Sequence, residues 1–291
     1  GKPLHARVLA DLLDRYVERP SLLEVAPAVV TLAGEVSVRR ALADGQLHAW
    51  YQPKFNLRSG EVCGAEVLCR WLHPTRGIIS PALFMPVLER CGLLDALLFS
   101  QLDQALDIQR SAREQGFVLN LAFNLQAVQL ANAELTASLK GILARHAAQG
   151  AGLTFELTES GLLEAPATSL ESLVRLRMMG CRLSIDDFGA GFSSLQRLCQ
   201  LPFNEIKLDA DFIRNLEREP RCRAAISSTL ALGETLGMTV VIEGIETDAQ
   251  RRELLALGCT QGQGYWYARP MAGTDLLNWL QRRSDRQISG E

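Results

Sequence analysis

From residue 48 onward the chain alternates short apolar strands with amphipathic helices, and that alternation leaves few architectures open. A strand-like segment, His48–Phe55, runs through the turn Asn56–Gly60 into a second one, Glu61–Arg70; together they predict a β-hairpin. Further strands are predicted near Phe117–Asn124, Leu153–Leu157, Cys181–Asp186, Asn204–Leu208, Met238–Glu243 and Cys259–Gly264. Between them lie helices with one apolar stripe, for example Leu98, Leu102, Ala105 and Leu106. Such an order predicts a parallel sheet with helical crossovers. The strands are apolar on both faces, as in sheets covered on both sides. Counting the hairpin there are about eight strands in roughly 250 residues, the usual size of a β/α barrel. The expected fold class is therefore α/β, a (β/α)8 TIM-like barrel. An open doubly wound sheet is the alternative, weakened because no Gly-x-Gly-x-x-Gly follows the first strand and no P-loop is present.

Ahead of the barrel the apolar positions Val8, Leu9, Leu12, Leu13, Tyr16 and Val17 recur at helical spacing and predict a helix over Leu4–Glu18. Pro20 and Pro27 bracket a linker, and a second helix, Val36–Ala43, stops at Asp44-Gly45. The expected organisation is a helical remnant at 1–18, a linker and helix start at 19–38, the barrel at 39–283 and a polar tail at 284–291.

In a β/α barrel the side chains at the C-terminal ends of the strands converge on one mouth. Here those ends carry Glu66, Asn124, Glu156, Asp186 with Asp187, Lys207, Glu243 and Gln263. Each alone has an ordinary structural explanation, as a surface acid, a helix cap or an exposed strand end. Jointly they bring carboxylates from several strands toward one another. Their repulsion costs stability unless cations neutralise it. The stretch Arg182–Ser194 is the most telling, because an apolar run ends in two adjacent acids. Neighbouring side chains on a strand point to opposite faces, so both acids can serve one site only if the chain bends; Gly189 and Gly191 just downstream offer that freedom.

Oxygen donors without histidine or cysteine favour Mg²⁺ or Mn²⁺ over zinc. The four histidines and seven cysteines are scattered, with no Cys-x-x-Cys pair, which predicts reduced thiols in a cytoplasmic protein. A net charge of -3 gives no general pull toward DNA, and no apolar run is long enough to span a bilayer. Hydrophobic content of 47% supports a full core. Paired divalent ions bridged by carboxylates suit in-line hydrolysis of a phosphate ester. A Schiff-base lyase using Lys207 is a poorer reading, since a lysine ringed by acids stays protonated.

Several motifs resemble, in order, the EAL-domain phosphodiesterases of bacterial cyclic di-GMP signalling. They are Tyr51-Gln-Pro53, Glu66-Val-Leu68 with Arg70-Trp71, Phe123-Asn124, Glu156-Leu-Thr-Glu159, Asp186 to Ser194, Lys207-Leu-Asp209, Glu243-Gly-Ile-Glu246 and Gln263-Gly-Tyr265, over about residues 39–283. The resemblance implies a barrel whose first strand is antiparallel, and hydrolysis of cyclic di-GMP to linear pGpG with two Mg²⁺ or Mn²⁺ ions. It implies a first ion held by Glu66, Asn124, Glu156 and Asp186, and a second held by Asp186, Asp187 and Glu246. Lys207 would orient the water or a phosphate oxygen, with Glu243 as general base or holding the base-side water. Gln52, Arg70 and Gln263 would contact the ligand or the metal shell. Glu159 would anchor the loop containing Phe188, Gly189, Gly191 and Ser193, which would couple the site to a homodimer or higher oligomer. The N-terminal helix is similar to the end of a response-regulator receiver domain, which implies such a domain upstream. Two positions depart from the family pattern: Val67 stands where alanine is usual and Gln126 where serine is usual. The alternative within the family is a receptor that binds cyclic di-GMP without cutting it.

Overall fold

The computed structural model describes residues 33–158, 161, 167–189, 195–216 and 219–289. The helix expected at Leu4–Glu18, the boundary between 18 and 19, and Glu159, Gly191 and Ser193 lie outside the described residues. The first described helix, α1 (Glu35–Ala43), stops at the Asp44-Gly45 signal, with Gly45 in the left-handed region at φ 67°.

The hairpin forms from local chemistry. β1 (Leu47–Asn56) and β2 (Val62–His73) are joined by a turn in which the Asn56 side-chain oxygen accepts from the backbone N–H of Arg58 and Ser59 at 2.9 and 3.0 Å. Its register sets Gln52 opposite Glu66. β4 (Leu121–Asn124), β5 (Leu153–Thr158), β6 (Arg182–Phe188), β7 (Glu205–Leu208), β8 (Thr239–Ile242) and β9 (Gln261–Gly262) then line up in parallel after β2. β9 pairs back on β1 and closes an eight-stranded barrel, with β1 antiparallel to both neighbours. Two short strands extend the rim, β3 (Gly77–Ile79) on β2 and β10 (Met271–Ala272) on β1. Neither is long enough to leave a period in the sequence.

The helices cover the barrel. They are α2 (Met85–Arg90), α3 (Leu94–Glu114), α4 (Leu135–Arg145), α5 (Ala167–Met178), α6 (Leu195–Gln200), α7 (Ala210–Arg214), α8 (Pro220–Leu236), α9 (Asp248–Ala256) and α10 (Gly273–Ser289). Leu102 and Leu106 of α3 join Phe123, Phe155 and Ile206 of the strands in one buried cluster. Each such side chain contributes about 2–3 kcal/mol. A smaller cluster seats α1 and α2 on the hairpin: Trp71 packs edge-on to Phe84 at 5.8 Å and its indole N–H donates to Gln46 Oε1 at 2.9 Å. α10 continues to Ser289, across the boundary drawn between 283 and 284. Arg283 ties this helix down, donating to the Gly60 carbonyl at 2.6 Å and lying over the rings of Phe55 and Trp279.

One feature sets this barrel apart from those filled by branched apolar side chains. Lys54, Glu156, Glu205 and Lys207 are all buried and in contact inside it. Alternation along each strand puts Lys54 on the same face as Gln52, Asp186 on that of Ser184, and Lys207 on that of Glu205.

Candidate active site

Lys207, 1% exposed, stands at the centre of the mouth. Its Nζ lies 2.8 Å from Glu156, 3.0 Å from Asp186, 2.7 Å from Glu243 and 3.5 Å from Glu66. Four separate strands or strand ends therefore deliver one acid each to one ammonium. Glu66 is fixed from two sides: Asn124 Nδ2 donates to its Oε1 at 3.1 Å and Gln263 Nε2 to its Oε2 at 2.7 Å. The same Gln263 amide donates to Glu243 Oε1 at 2.9 Å. Gln263 is placed by a close backbone approach: its carbonyl accepts from Ile245 N–H at 3.2 Å, and a Cβ on Gly264 would lie 2.1 Å from the Ile245 carbonyl oxygen.

Asp186 and Asp187 do come together, and the bend lies upstream of the glycines. It is at Asp187 itself, whose φ of 54° is left-handed, and the pairing of β6 with β7 slips between Ile185 and Phe188. That bulge re-aims the second acid. Ligand oxygens of Asp186, Asp187 and Glu243 all lie within 4.8 Å of one another. Glu246, given to the second ion by the resemblance, is exposed and outside that group; its backbone N–H is held by Gln250 Oε1 at 2.8 Å. Phe188 is buried and pairs with Leu208, and Gly189 at φ 91° passes so close to the Phe212 ring that a Cβ would sit 2.9 Å from it.

Charge at this mouth is strongly negative. Among the described residues, Glu66, Glu156, Asp186 and Glu243 share Lys207, Glu156 also meets Lys54, and Asp187 stands beside Asp186 and Glu243. Burial pushes Glu156 up, but Lys207 and Lys54 override it and hold it at about 2. Burial dominates for Asp186, raised to about 6 against the pull of Lys207, and for Glu243, raised to about 8 against the same lysine. Asp187 is raised as well, by burial and by the neighbouring Asp209. Burial alone would lower Lys207; Glu156, Glu66, Glu243 and Asp186 outweigh it and keep the ammonium well above its ordinary value. That removes Lys207 as a free-amine nucleophile. The donor set is all oxygen apart from this lysine, and Gln263 Oε1 is buried without a hydrogen-bond partner. Clustered carboxylates in excess of cations and a spare buried acceptor fit divalent hard cations with their waters.

Two pockets flank the acids. One, of about 300 Å³, is lined by Arg70, Asn124, Gln101 and Gln126 with apolar walls from Pro81, Met85 and Leu97. The other, of about 230 Å³, is lined by Gln52, Glu243, Glu246, Gln263, Arg214 and Tyr265. Arg70 lies 5.9 Å from the Trp50 ring and donates to the Cys69 carbonyl at 2.8 Å. Val67, where alanine is usual, is simply buried in the core, and Gln126 takes over serine's capping position, its N–H received by Gln129 Oε1 at 2.9 Å.

Lys54 and Glu205 escaped the sequence reading. Both carry a signal in retrospect: each sits two residues from a site residue on the same strand face, Lys54 beside Gln52 and Glu205 beside Lys207.

The EAL domain family profile matches residues 35–270. The chain belongs to the EAL domain family. It is 43% identical over 279 residues to the cyclic di-GMP phosphodiesterase RocR of Pseudomonas aeruginosa, a match covering 96% of this chain and 71% of RocR. It is 41% identical to the bifunctional diguanylate cyclase/cyclic di-GMP phosphodiesterase MucR of the same organism, but spans only 35% of that protein. Among solved structures, the MucR phosphodiesterase in complex with cyclic di-GMP superposes with a TM-score of 0.78 at 40% identity, covering 83% of this chain and 98% of that one. The EAL enzyme Bd1971, bound to cAMP and cyclic di-GMP, gives 0.80 at 27% identity, covering 94% and 75%.

Proposed function

We propose that this chain is a metal-dependent phosphodiesterase that hydrolyses cyclic di-GMP to linear pGpG. The observation that carries the reading is the convergence of Asp186, Asp187 and Glu243 beside the Glu66–Glu156–Lys207 cluster at one mouth. Glu66, Asn124, Glu156 and Asp186 would hold one ion. Asp186 and Asp187 would hold the second, with Glu243 beside them. Mg²⁺ or Mn²⁺ suits these donors, and such a pair activates water and takes up charge on the attacking and leaving oxygens.

The chain's own groups supply the rest. A water oxygen attacks phosphorus, the P–O3′ bond breaks, and the departing 3′-oxygen takes a proton from solvent to leave as a hydroxyl. Glu243 would accept the proton of the attacking water or hold the water on that side. Lys207 remains an ammonium and would orient the attacking water or a phosphate oxygen. Gln263 holds Glu66 and Glu243 at a fixed separation. The substrate has two guanine bases and two phosphates, and the pocket beside Asn124 and the pocket beside Glu243 and Gln263 would each take one base. Arg70 and Gln52 line opposite pockets, which suits binding of the nucleotide edges. A pure receptor would not need the whole acid set retained. The test is product analysis after incubation with cyclic di-GMP: pGpG forms with Mg²⁺ or Mn²⁺ and none forms in EDTA. Intact substrate in all metals defeats the reading, and tight binding without turnover transfers it to the receptor.

The surroundings suit a cytoplasmic homodimer. All seven cysteines are free, and among the described residues no helix is long and apolar enough to cross a membrane. On α5, Leu170, Val174 and Met178 follow one another at four-residue spacing and are exposed, with Met178 at 82%. This stripe and the segment after Phe188 would meet a second copy. Val174→Glu is expected to convert the dimer to monomer by sedimentation velocity and lower turnover about tenfold, an effect of the size that one or two kcal/mol of lost coupling gives. Full turnover in a monomeric variant refutes the coupling. A receiver domain upstream would place the chain in a response regulator.

A further inference from the structure

Lys54 is the strongest group that the proposed chemistry leaves unused. It leaves β1 toward the barrel axis and is 6% exposed. Its Nζ donates to Glu156 Oε1 at 2.6 Å and to Glu205 Oε1 at 3.3 Å. The other oxygen of Glu156, Oε2, receives Lys207 at 2.8 Å. The two oxygens of one carboxylate are thus divided between lysines on two levels of the barrel. Along the axis the order is Glu205, Lys54, Glu156, Lys207, and then the acids of the mouth.

A buried ammonium is expensive to desolvate, and packed apolar side chains of similar volume are often more stable. Fold stability alone gives no reason for a lysine here. Nor can Lys54 act on the substrate. It lines a cavity of about 250 Å³ with Asn120, Arg182, Glu205 and Gln261, and neither pocket beside the acids includes it.

We propose that Lys54, backed by Glu205, is a positioning residue for the cation site, turning Glu156 Oε1 to the barrel floor so that Oε2 faces the mouth. This rests on the reading of the mouth as a divalent-cation site. Partners that orient a ligand in this way typically change metal affinity by about 10–100-fold when removed.

The experiment measures Mn²⁺ binding, by electron paramagnetic resonance of free Mn²⁺, to the whole chain and to three variants: Lys54→Met, Glu205→Gln, and the two combined. Lys54→Met is expected to weaken Mn²⁺ binding about 10–100-fold and to lower the thermal midpoint measured in EDTA. The combined variant removes the stranded Glu205 charge, so its midpoint recovers while its Mn²⁺ affinity stays low. Glu205→Gln alone shifts Mn²⁺ affinity less than Lys54→Met does. Wild-type affinity in the combined variant overturns the proposal and leaves Lys54 as a structural counter-ion. If Lys54→Met does not fold, the combined variant carries the comparison. Should the wild-type chain bind no Mn²⁺, the cation-site reading itself falls, which is a separate outcome from equal binding by wild type and variants.

Discussion

Asp186→Asn is expected to reduce cyclic di-GMP turnover on the order of 10³-fold in saturating Mg²⁺ while leaving the metal-free protein at least as stable as wild type. The first half follows from position. Asp186 belongs both to the trio with Asp187 and Glu243 and to the ring around Lys207. Losing a shared charge at a two-cation centre forfeits several kcal/mol of transition-state stabilisation, and each 1.36 kcal/mol is about tenfold in rate. The second half follows from the raised pKa. Burial disfavours the ionised carboxylate more than Lys207 favours it. Asparagine removes that cost and retains the side-chain oxygen that accepts the Asp187 N–H at 3.1 Å.

The same imbalance fixes the pH dependence of the metal-free chain. An acid raised in the folded state adds stability that is fully present below its unfolded pKa and is lost as pH rises through the folded value. For Asp186 and Glu243 the loss runs from the ordinary carboxylate range up to about 6 and about 8. In EDTA the thermal midpoint should therefore fall between pH 5 and pH 8, and Mg²⁺ should flatten that slope. Differential scanning calorimetry across this range decides it. A midpoint that rises with pH in EDTA, or a turnover loss below tenfold in Asp186→Asn, contradicts the assignment.

Much of this architecture was legible because it rests on periodicity. The hairpin, the run of parallel strands and the strand-end acids all follow from alternation and helical spacing, which depend only on local order. What escaped depends on the third dimension. The Asp186-Asp187 bend was anticipated, but the glycines were given the work that Asp187 does with its own backbone at φ 54°. Sequence cannot assign a left-handed aspartate when two glycines stand nearby. Lys54 and Glu205 were overlooked because a charged residue inside a strand is ordinarily turned to solvent, and only closure of the sheet turns that face inward. Glu246 and Glu243 are three residues apart after β8, and motif order alone cannot say which one reaches Asp186. The contact that separates them is the Gln263 amide on Glu243, delivered from the next strand.

Lys207→Met should separate the two states of the site most sharply. In wild type one ammonium lies within 3.5 Å of Glu66, Glu156, Asp186 and Glu243. Removing it leaves three buried acids and the half-buried Glu243 without their common counter-charge, and breaking a buried pair costs about 3–5 kcal/mol. For a barrel of this size that corresponds to a fall of roughly 10 °C in the midpoint in EDTA. Added Mg²⁺ supplies positive charge to the same acids, so much of the stability returns. Turnover does not, because the cation brings no N–H donor to the position that the ammonium holds; a loss of about 10²–10³-fold is expected, as for removal of one preorganised donor. Lys207→Arg should rescue stability better than rate, since the planar guanidinium cannot set a single point charge among acids on four sides. Calorimetry with and without Mg²⁺, paired with product assays on the same preparations, reads both halves. If the methionine variant in EDTA melts with wild type, Lys207 is not the charge that holds the empty mouth together; if it turns over within tenfold of wild type, the lysine serves the fold and not the chemistry.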